Sequence, residues 1–570
     1  MDKDAAKDSE TRQVHTRSRT GCINCRQRRI RCDEKRPFCL NCKGKDLSCT
    51  YSLPKIPLRD RRAQARTGDQ APWIVQASKP LVDLSSSKEV ALLNPIGSSG
   101  RDPLGSSSWQ LVPGETVDPF DALPIKMPLK SKELLHYFHQ AGCVFGTLPG
   151  ATRDECIALG TQDPDILQNI LLVAGMHYAW NVGDLSIFES TFLFHKVQSI
   201  RSVNTWLDKT SQERDIMLCA KHITTLCFTE GCLGNFGVAE THLEGLMKYL
   251  DTQYSKQNEA LATHSIEREL TDRYLIISYN VVHALKSRLD DFLATSVESQ
   301  LYKCTEDPKQ LARLVHEWHL HEATGLGLRL KAIRLLPFFF SPPPIDREPQ
   351  HVDIHPVLEC MKEITRFYEL RFSDPSSDAI VHNAYQLWDS GSPSKLLYLV
   401  VNAHIQSFSG KYRSKASGKA ALLSSWTGFC VSVGMYLISV LGVWNQGSPA
   451  EIRLHCHILQ ILKRDVQSSL ADLGTMSKED QGLWLWKLFT GYISLTHAHP
   501  QTCDPRLQSL AIDFALYVQQ WTKVTGITEW KDARAALTEI VWPVNFQRED
   551  LAELLWKRSL RQQGRTESAE

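Results

Sequence analysis

From about Ser131 to Leu560, apolar residues return at intervals of three and four with hardly a break, whereas the chain before them carries no such period. Asp163 followed by Pro164 reads as an N-cap and a first-turn proline. It opens a helix in which Ile166, Leu167, Ile170, Leu171, Ala174 and Tyr178 share one face. Ser211 with Glu213 begins another, carrying Ile216, Cys219, Ile223 and Cys227 until Gly231 and Gly234 stop it. Between Leu233 and Leu250 an amphipathic pattern turns Ala239, Leu243, Leu246 and Leu250 inward, with His242 as a core histidine. No strand-type alternation interrupts the series, so an all-α, multi-helix domain is expected.

Three stretches depart from the simple amphipathic pattern. LPFFFSPPP, from Leu336 to Pro344, is expected to break the helical run, because successive prolines remove donors and fix φ. From Ala420 to Ala450 no charged residue occurs, and the segment is long enough to cross a bilayer. Serine, threonine and glycine run through it and no basic cluster follows Trp444, so it reads as a buried helix and no membrane contact is expected. The last helix, Gln547 to Leu560, carries Leu551, Leu554 and Leu555 as an L-x-x-L-L pattern, which is either a core-facing stripe or a coactivator contact.

Composition sets the rest of the outline. The chain has 570 residues, 42% hydrophobic and 23% charged, which is ordinary for a protein with a large buried core. Its net charge is +1, but the balance is uneven: Met1 to Arg66 holds eighteen Lys or Arg against eight Asp or Glu. That basic end is the footprint expected of a nucleic-acid-binding segment. Tyr51 to about Asp121 mixes eight prolines with serine runs at Ser85 to Ser87 and Ser106 to Ser108, the composition of a linker. The expected organisation is therefore a disordered basic arm at 1–20, a compact module at 21–51, a disordered Pro/Ser-rich linker at 52–122, a helical domain at 123–562 and a disordered tail at 563–570.

The module at 21–51 is where chemistry concentrates. Cys22, Cys25, Cys32, Cys39, Cys42 and Cys49 are separated by two, six, six, two and six residues. CINCRQRRIRC from Cys22 aligns with CLNCKGKDLSC from Cys39, so the segment is an internal repeat. A C-x2-C pair at a helix start grips one tetrahedral zinc, with a third thiolate arriving from further on. Two tetrahedral sites need eight ligand positions, so six cysteines suffice only if two of them bridge, and the repeat suggests Cys22 and Cys39. Two Zn2+ with six thiolates sum to about minus two, which a basic shell offsets. A disulfide framework is not expected, because MDKDAAKDSETRQ lacks the apolar core of a secretory signal.

The motif C-x2-C-x6-C-x6-C-x2-C-x6-C, with the run Arg26, Gln27, Arg28, Arg29, Ile30, Arg31 and with Pro37 before the fourth cysteine, resembles the fungal binuclear zinc cluster of transcription factors. The resemblance implies a nuclear protein that binds double-stranded DNA and regulates RNA polymerase II genes. It implies two Zn2+ ions on the six cysteines and a first short helix, including Gln27, that presents Arg28 and Arg29 to a C/G-rich, CGG-like triplet. Arg19, Arg26, Arg31 and Arg36 then bind mostly phosphate. The repeat adds that Asp46 and Ser48 replace Arg29 and Arg31 in the second half, so the first half is the reader. LGNFGVAETHLEGLMKYL, from Leu233, similarly resembles a segment of the fungal-specific transcription factor domain, which implies a regulatory role for the helices. A second copy or a coregulator is a further partner this reading admits.

No constellation points to catalysis. His316 and Glu317 begin a zincin-like H-E-x-x-H that closes on Leu320, and Asp290 and Asp291 begin an aspartate-rich motif that closes on Ala294. His455, Cys456 and His457 diverge on any helix, so no enzyme is expected. The competing class is a zinc-stabilised module that binds protein or phospholipid without reading DNA sequence.

Overall fold

The computed structural model describes residues 22–28, 30, 32–35, 38–45, 49, 123–144, 162–207, 213–256, 266–295, 308–322, 325–341, 352–373, 387, 390–406, 426–443, 451–497 and 504–561. The arm at 1–20, the linker at 52–122 and the tail at 563–570 lie outside them. Contacts divide the chain into two units, one containing the cysteine repeat and one containing the helices from residue 123 onward. Among the described residues every regular element is helical.

The first unit holds two short helices, α1 (Ile23–Gln27) and α2 (Leu40–Lys43). Among the described residues its buried centre consists of cysteines, with Cys49 partly buried beside them. Ile23, Ile30, Phe38 and Leu40 are exposed. The described residues of this unit thus form no apolar core beyond the cysteines.

The second unit opens with α3 (Ser131–Val144) and α4 (Pro164–Val182). Asp163 caps α4 as the sequence implies, accepting from the N–H groups of Asp165 and Ile166. The single inward face does not hold, however: Ile166 through Trp180 are all buried. The reason is tertiary, since α3, α5 (Glu189–Leu207), α6 (Glu213–Cys232) and α10 (Gly325–Arg334) all pack around it.

Helix α6 runs through Gly231 to Cys232, so Gly231 packs rather than stops, with Val282 pressed against its missing Cβ. Gly234, at φ +90°, makes the turn instead. In α7 (Phe236–Lys256), Ala239, Leu246 and Leu250 point inward as expected, Leu243 is only half-buried, and Met247 takes the inner position. His242 is half-buried with its pKa lowered by burial, which fits a packed histidine.

The long α8 (Ile266–Thr295) packs on α6 and on α14 (Trp426–Met435), and so joins the two halves of the helical unit. Between them lie α9 (Pro308–His321), α10, α11 (Pro337–Phe340), α12 (His355–Ser373) and α13 (Ser392–Gln406). The expected break at Leu336 to Pro344 is a single helical turn begun by Pro337, with Phe339 and Phe340 in the core. Pro342 to Pro344 lie outside the described residues.

The uncharged stretch after Ala420 is buried on every side through α14 and the π-helical segment Tyr436–Val440 that continues it. Among the described residues no helix is long and apolar enough to cross a membrane. Protein surrounds this helix where lipid was the alternative. Against it pack α15 (Ile452–Ser468) and α16 (Lys478–Ser494). Gly428 of α14 admits Asp465 of α15, whose carboxylate pairs at 2.6 Å with buried Lys487 of α16. A Cβ on residue 428 would lie 2.0 Å from that carboxylate oxygen. One glycine thus lets a buried charge pair tie three helices.

The last layer is α17 (Pro505–Thr525), α18 (Trp530–Ile540) and α19 (Glu549–Arg561), closing over α16. Trp486 is fully buried near Phe429 and Tyr436, and its indole N–H donates to the Val541 carbonyl at 2.8 Å. Replacing Trp486 by alanine is expected to cost about 3–5 kcal/mol in urea unfolding. A loss below about 1 kcal/mol would contradict its place in a closed core. In α19 the inward stripe is Ala552, Trp556 and Ser559, while Leu551 and Leu555 are half-buried and Leu554 is 59% exposed. The leucine pattern is therefore not the core stripe.

Candidate metal centre and nucleic-acid interface

Each half of the repeat folds by a local rule. Cys22 precedes α1 and Cys39 is the N-cap of α2, so the C-x2-C pairs place two sulfurs on one side of a single helical turn. The Leu40 N–H donates to both oxygens of the Asp33 carboxylate, at 3.0 and 3.2 Å. Asp33 thereby caps α2 from the connecting loop. Sequence reasoning passed over it, since a cap seven residues away has no local signature.

The six sulfurs gather into two overlapping groups, Cys22, Cys25, Cys32, Cys39 and Cys22, Cys39, Cys42, Cys49, with all sulfurs in a group within 4.8 Å. Cys22 and Cys39 belong to both. Their sulfurs lie 3.7 Å apart, Cys22 and Cys42 3.6 Å, and Cys25 and Cys39 3.6 Å. A tetrahedron with metal–sulfur bonds of about 2.3 Å has edges of about 3.8 Å, so the spacing suits zinc. It is far beyond a disulfide bond, and none of the six cysteines is joined by one.

Backbone donors complete the environment. The N–H groups of Cys25, Cys22, Glu34 and Cys39 point at the sulfurs of Cys22, Cys32, Cys32 and Cys49, at 3.4, 3.4, 3.4 and 3.2 Å. Glu34 takes φ +59°, a strained conformation outside glycine, and its N–H faces the Cys32 sulfur. Burial pushes the Cys22 thiol up to about 12 and raises those of Cys25 and Cys39. Buried thiols of this kind yield their protons to a thiophilic cation, which then holds the thiolates.

Residues 20–56 match the family described as the fungal Zn(2)-Cys(6) binuclear cluster domain. They form a binuclear zinc cluster domain. Such a domain binds two zinc ions, and the two sulfur groups with two shared members fit that stoichiometry. The Transcriptional regulatory protein pro1 of Neurospora crassa is 32% identical over 95 residues, which cover 17% of this chain and 14% of that protein. The Zn(2)-C6 fungal-type transcription factor afumD of Aspergillus fumigatus is 49% identical over 43 residues, 8% of this chain and 12% of that protein. The matches thus span no more than about one-seventh of either relative. No solved structure matches the chain. The family match ends at residue 56, so the fungal-specific transcription factor domain suggested by Leu233 to Leu250 is not confirmed by it.

Around the cluster, Gln27, Lys43 and Lys45 are exposed. Arg28 is half-buried beside α1, its own N–H bonded to the Asn24 carbonyl at 3.0 Å. Its Nη1 is buried without a hydrogen-bond partner among the described residues. Arg19, Arg29, Arg31 and Arg36, and the side chain of Arg26, lie outside the described residues.

The weaker candidates resolve as packing. The His316 imidazole donates to the Trp180 carbonyl at 2.7 Å, and His319 meets the Trp180 ring edge-on at 4.3 Å. His455 pairs with Ser494 and His457 with Asp272, so the two diverge as expected. The side chains of Asp290 and Asp291 lie outside the described residues. Among the described residues, the groups that suit a metal are the two sets of cysteines.

Proposed function

We propose that the chain is a zinc-dependent, sequence-specific DNA-binding transcription factor of the nucleus, acting on RNA polymerase II genes and performing no catalysis. The observation that carries this is the pair of sulfur tetrahedra sharing Cys22 and Cys39, set in the most basic part of the chain. Cys22, Cys25, Cys32, Cys39, Cys42 and Cys49 hold two Zn2+, with Cys22 and Cys39 bridging. The printed descriptions of both relatives, a transcriptional regulatory protein and a transcription factor, support the same role.

In this reading α1 enters the major groove and Arg28 and Arg29, with Gln27 beside them, read a CGG-like triplet. The arginine fork matches O6 and N7 of guanine. The buried Nη1 of Arg28 favours the assignment, since a donor without a protein partner gains most from a base acceptor. Arg19, Arg26, Arg31 and Arg36 bind phosphate, so neutralising about six phosphates gives a log–log salt slope of roughly minus five. One triplet is too little information for a genome, so a second copy or a coregulator adds specificity.

Replacing Arg28 by alanine in the full chain is expected to cost about 1–3 kcal/mol on the selected site and much less on random duplex. Zinc should stay at two per chain, measured by mass spectrometry beside a binding titration. Equal losses on both DNAs would make Arg28 a phosphate contact. Absence of any preferred sequence in a selection with the unaltered chain would sink the reading, leaving a zinc-stabilised protein- or phospholipid-binding module.

A further inference from the structure

Inside the helical unit a cavity of about 70 Å³ lies between α8, α13 and the α14–π segment, with Trp180 and Arg329 also in its wall. Its lining is overwhelmingly apolar, with Ile277, Ala284, Leu396, Val400, Val433 and Leu437 among the walls. Protein interiors pack with few gaps larger than a water, so a partly open apolar hollow of this size is a place where a small molecule can be held. An apolar cavity stays dry and takes small apolar molecules.

Two polar side chains break the apolar lining. Arg329 is buried and fixed, its Nε donating to Ser394 at 2.6 Å and its Nη2 to Glu322 at 2.9 Å. Glu322 also pairs with Arg288 at 2.5 Å, so the guanidinium is braced from behind. Asn280 is half-buried, and its amide has no hydrogen-bond partner among the described residues. Its place depends on Gly434 of α14, because a Cβ there would lie 2.7 Å from the Asn280 amide nitrogen. The wall beyond Gly434 is the π-helical segment, whose Leu437 lines the cavity. Segments of that kind recur at functional sites because they re-aim one side chain at the expense of regular hydrogen bonding.

The geometry points to a binding site for a small aliphatic molecule ending in an oxygen acceptor, a carboxylate or a carbonyl. The chain end lies among Ile277, Leu396, Val400 and Val433. The oxygen end faces Arg329, which can only donate, and Asn280, whose amide supplies a second donor. The volume is about half that of a cavity known to admit benzene, so the buried part of the ligand is a few carbons long.

The test uses the full chain with hexanoate, 2-hexanone and xenon, read by ligand-observed NMR and titration calorimetry. Hexanoate or 2-hexanone is expected to bind, and the stronger of the two identifies the oxygen group. Ala284→Phe and Val433→Phe fill the cavity from α8 and from α14, and each is expected to weaken binding at least about tenfold while the circular dichroism stays helical. Asn280→Leu is expected to weaken the oxygen-bearing probe about tenfold and leave xenon unchanged. The proposal is overturned if only xenon binds, if neither oxygen-bearing probe binds, if either folded phenylalanine variant binds like the unaltered chain, or if Asn280→Leu leaves the oxygen probe unaffected. None of these outcomes touches the zinc cluster reading, which is read on DNA.

Discussion

Cys39→Ala is expected to release both zinc ions and unfold the zinc cluster domain, whereas Cys25→Ala loses one site first. Cys39 belongs to both sulfur groups and Cys25 to one. Among its described residues the buried centre is made of cysteines and the larger apolar side chains face solvent, so zinc is the expected main support. A structural zinc contributes about 10–16 kcal/mol in small zinc domains, which is folding free energy where no apolar core exists. Losing both ions therefore removes more than the domain has to spare. Zinc per chain by mass spectrometry should fall from two to near zero in Cys39→Ala, with loss of duplex binding, and to about one in Cys25→Ala at limiting metal. A Cys39→Ala protein that keeps one tightly held zinc would show that the bridge lies elsewhere.

The second large effect belongs to the helical unit. His177 and His222 are fully buried and held neutral, their pKa values pushed down to about 3, mainly by burial and, for His177, also by the nearby Arg334. Burial likewise lowers His195 to about 4. Each ring meets a hydroxyl rather than a carboxylate: Tyr137 for His177, Ser199 for His222 and Ser131 for His195. In the unfolded chain these groups titrate near about 6.5.

The folded values lie below the unfolded one, so between about pH 6.5 and pH 3–4 the unfolded chain holds more protons. Stability is complete above about pH 6.5 and falls as the pH drops through that window. By pH 5 each of the three costs about 2 kcal/mol, a combined loss that rivals the net stability of a typical domain. His319 and His404 are pushed the same way. The urea midpoint of the helical unit should therefore fall steeply from pH 7 to pH 5, and His222→Gln should flatten the dependence. A midpoint that stays level across that range would mean these histidines are hydrated or paired with a carboxylate.

The cysteine spacing alone specified the metal module, because six thiolates and two tetrahedral ions leave few arrangements and the ligands are close in sequence. Helical class was equally legible from apolar periodicity, and Asp163 marked the start of α4 because a cap is a local interaction. Burial on all sides of α4 and α14 was not legible, since a helix hydrophobic all round takes its partners from far along the chain. The same holds for the inward face of α19, which Trp556 decides while Leu554 faces solvent. Gly428 and Gly434 gave no sign in the sequence of what they admit, because Asp465 and Asn280 approach them from other helices. Sequence determined what is set within a few residues, the cysteine motif, local caps and the helices; the tertiary structure decided which faces close and where a cavity remains, because those depend on elements brought together only by folding.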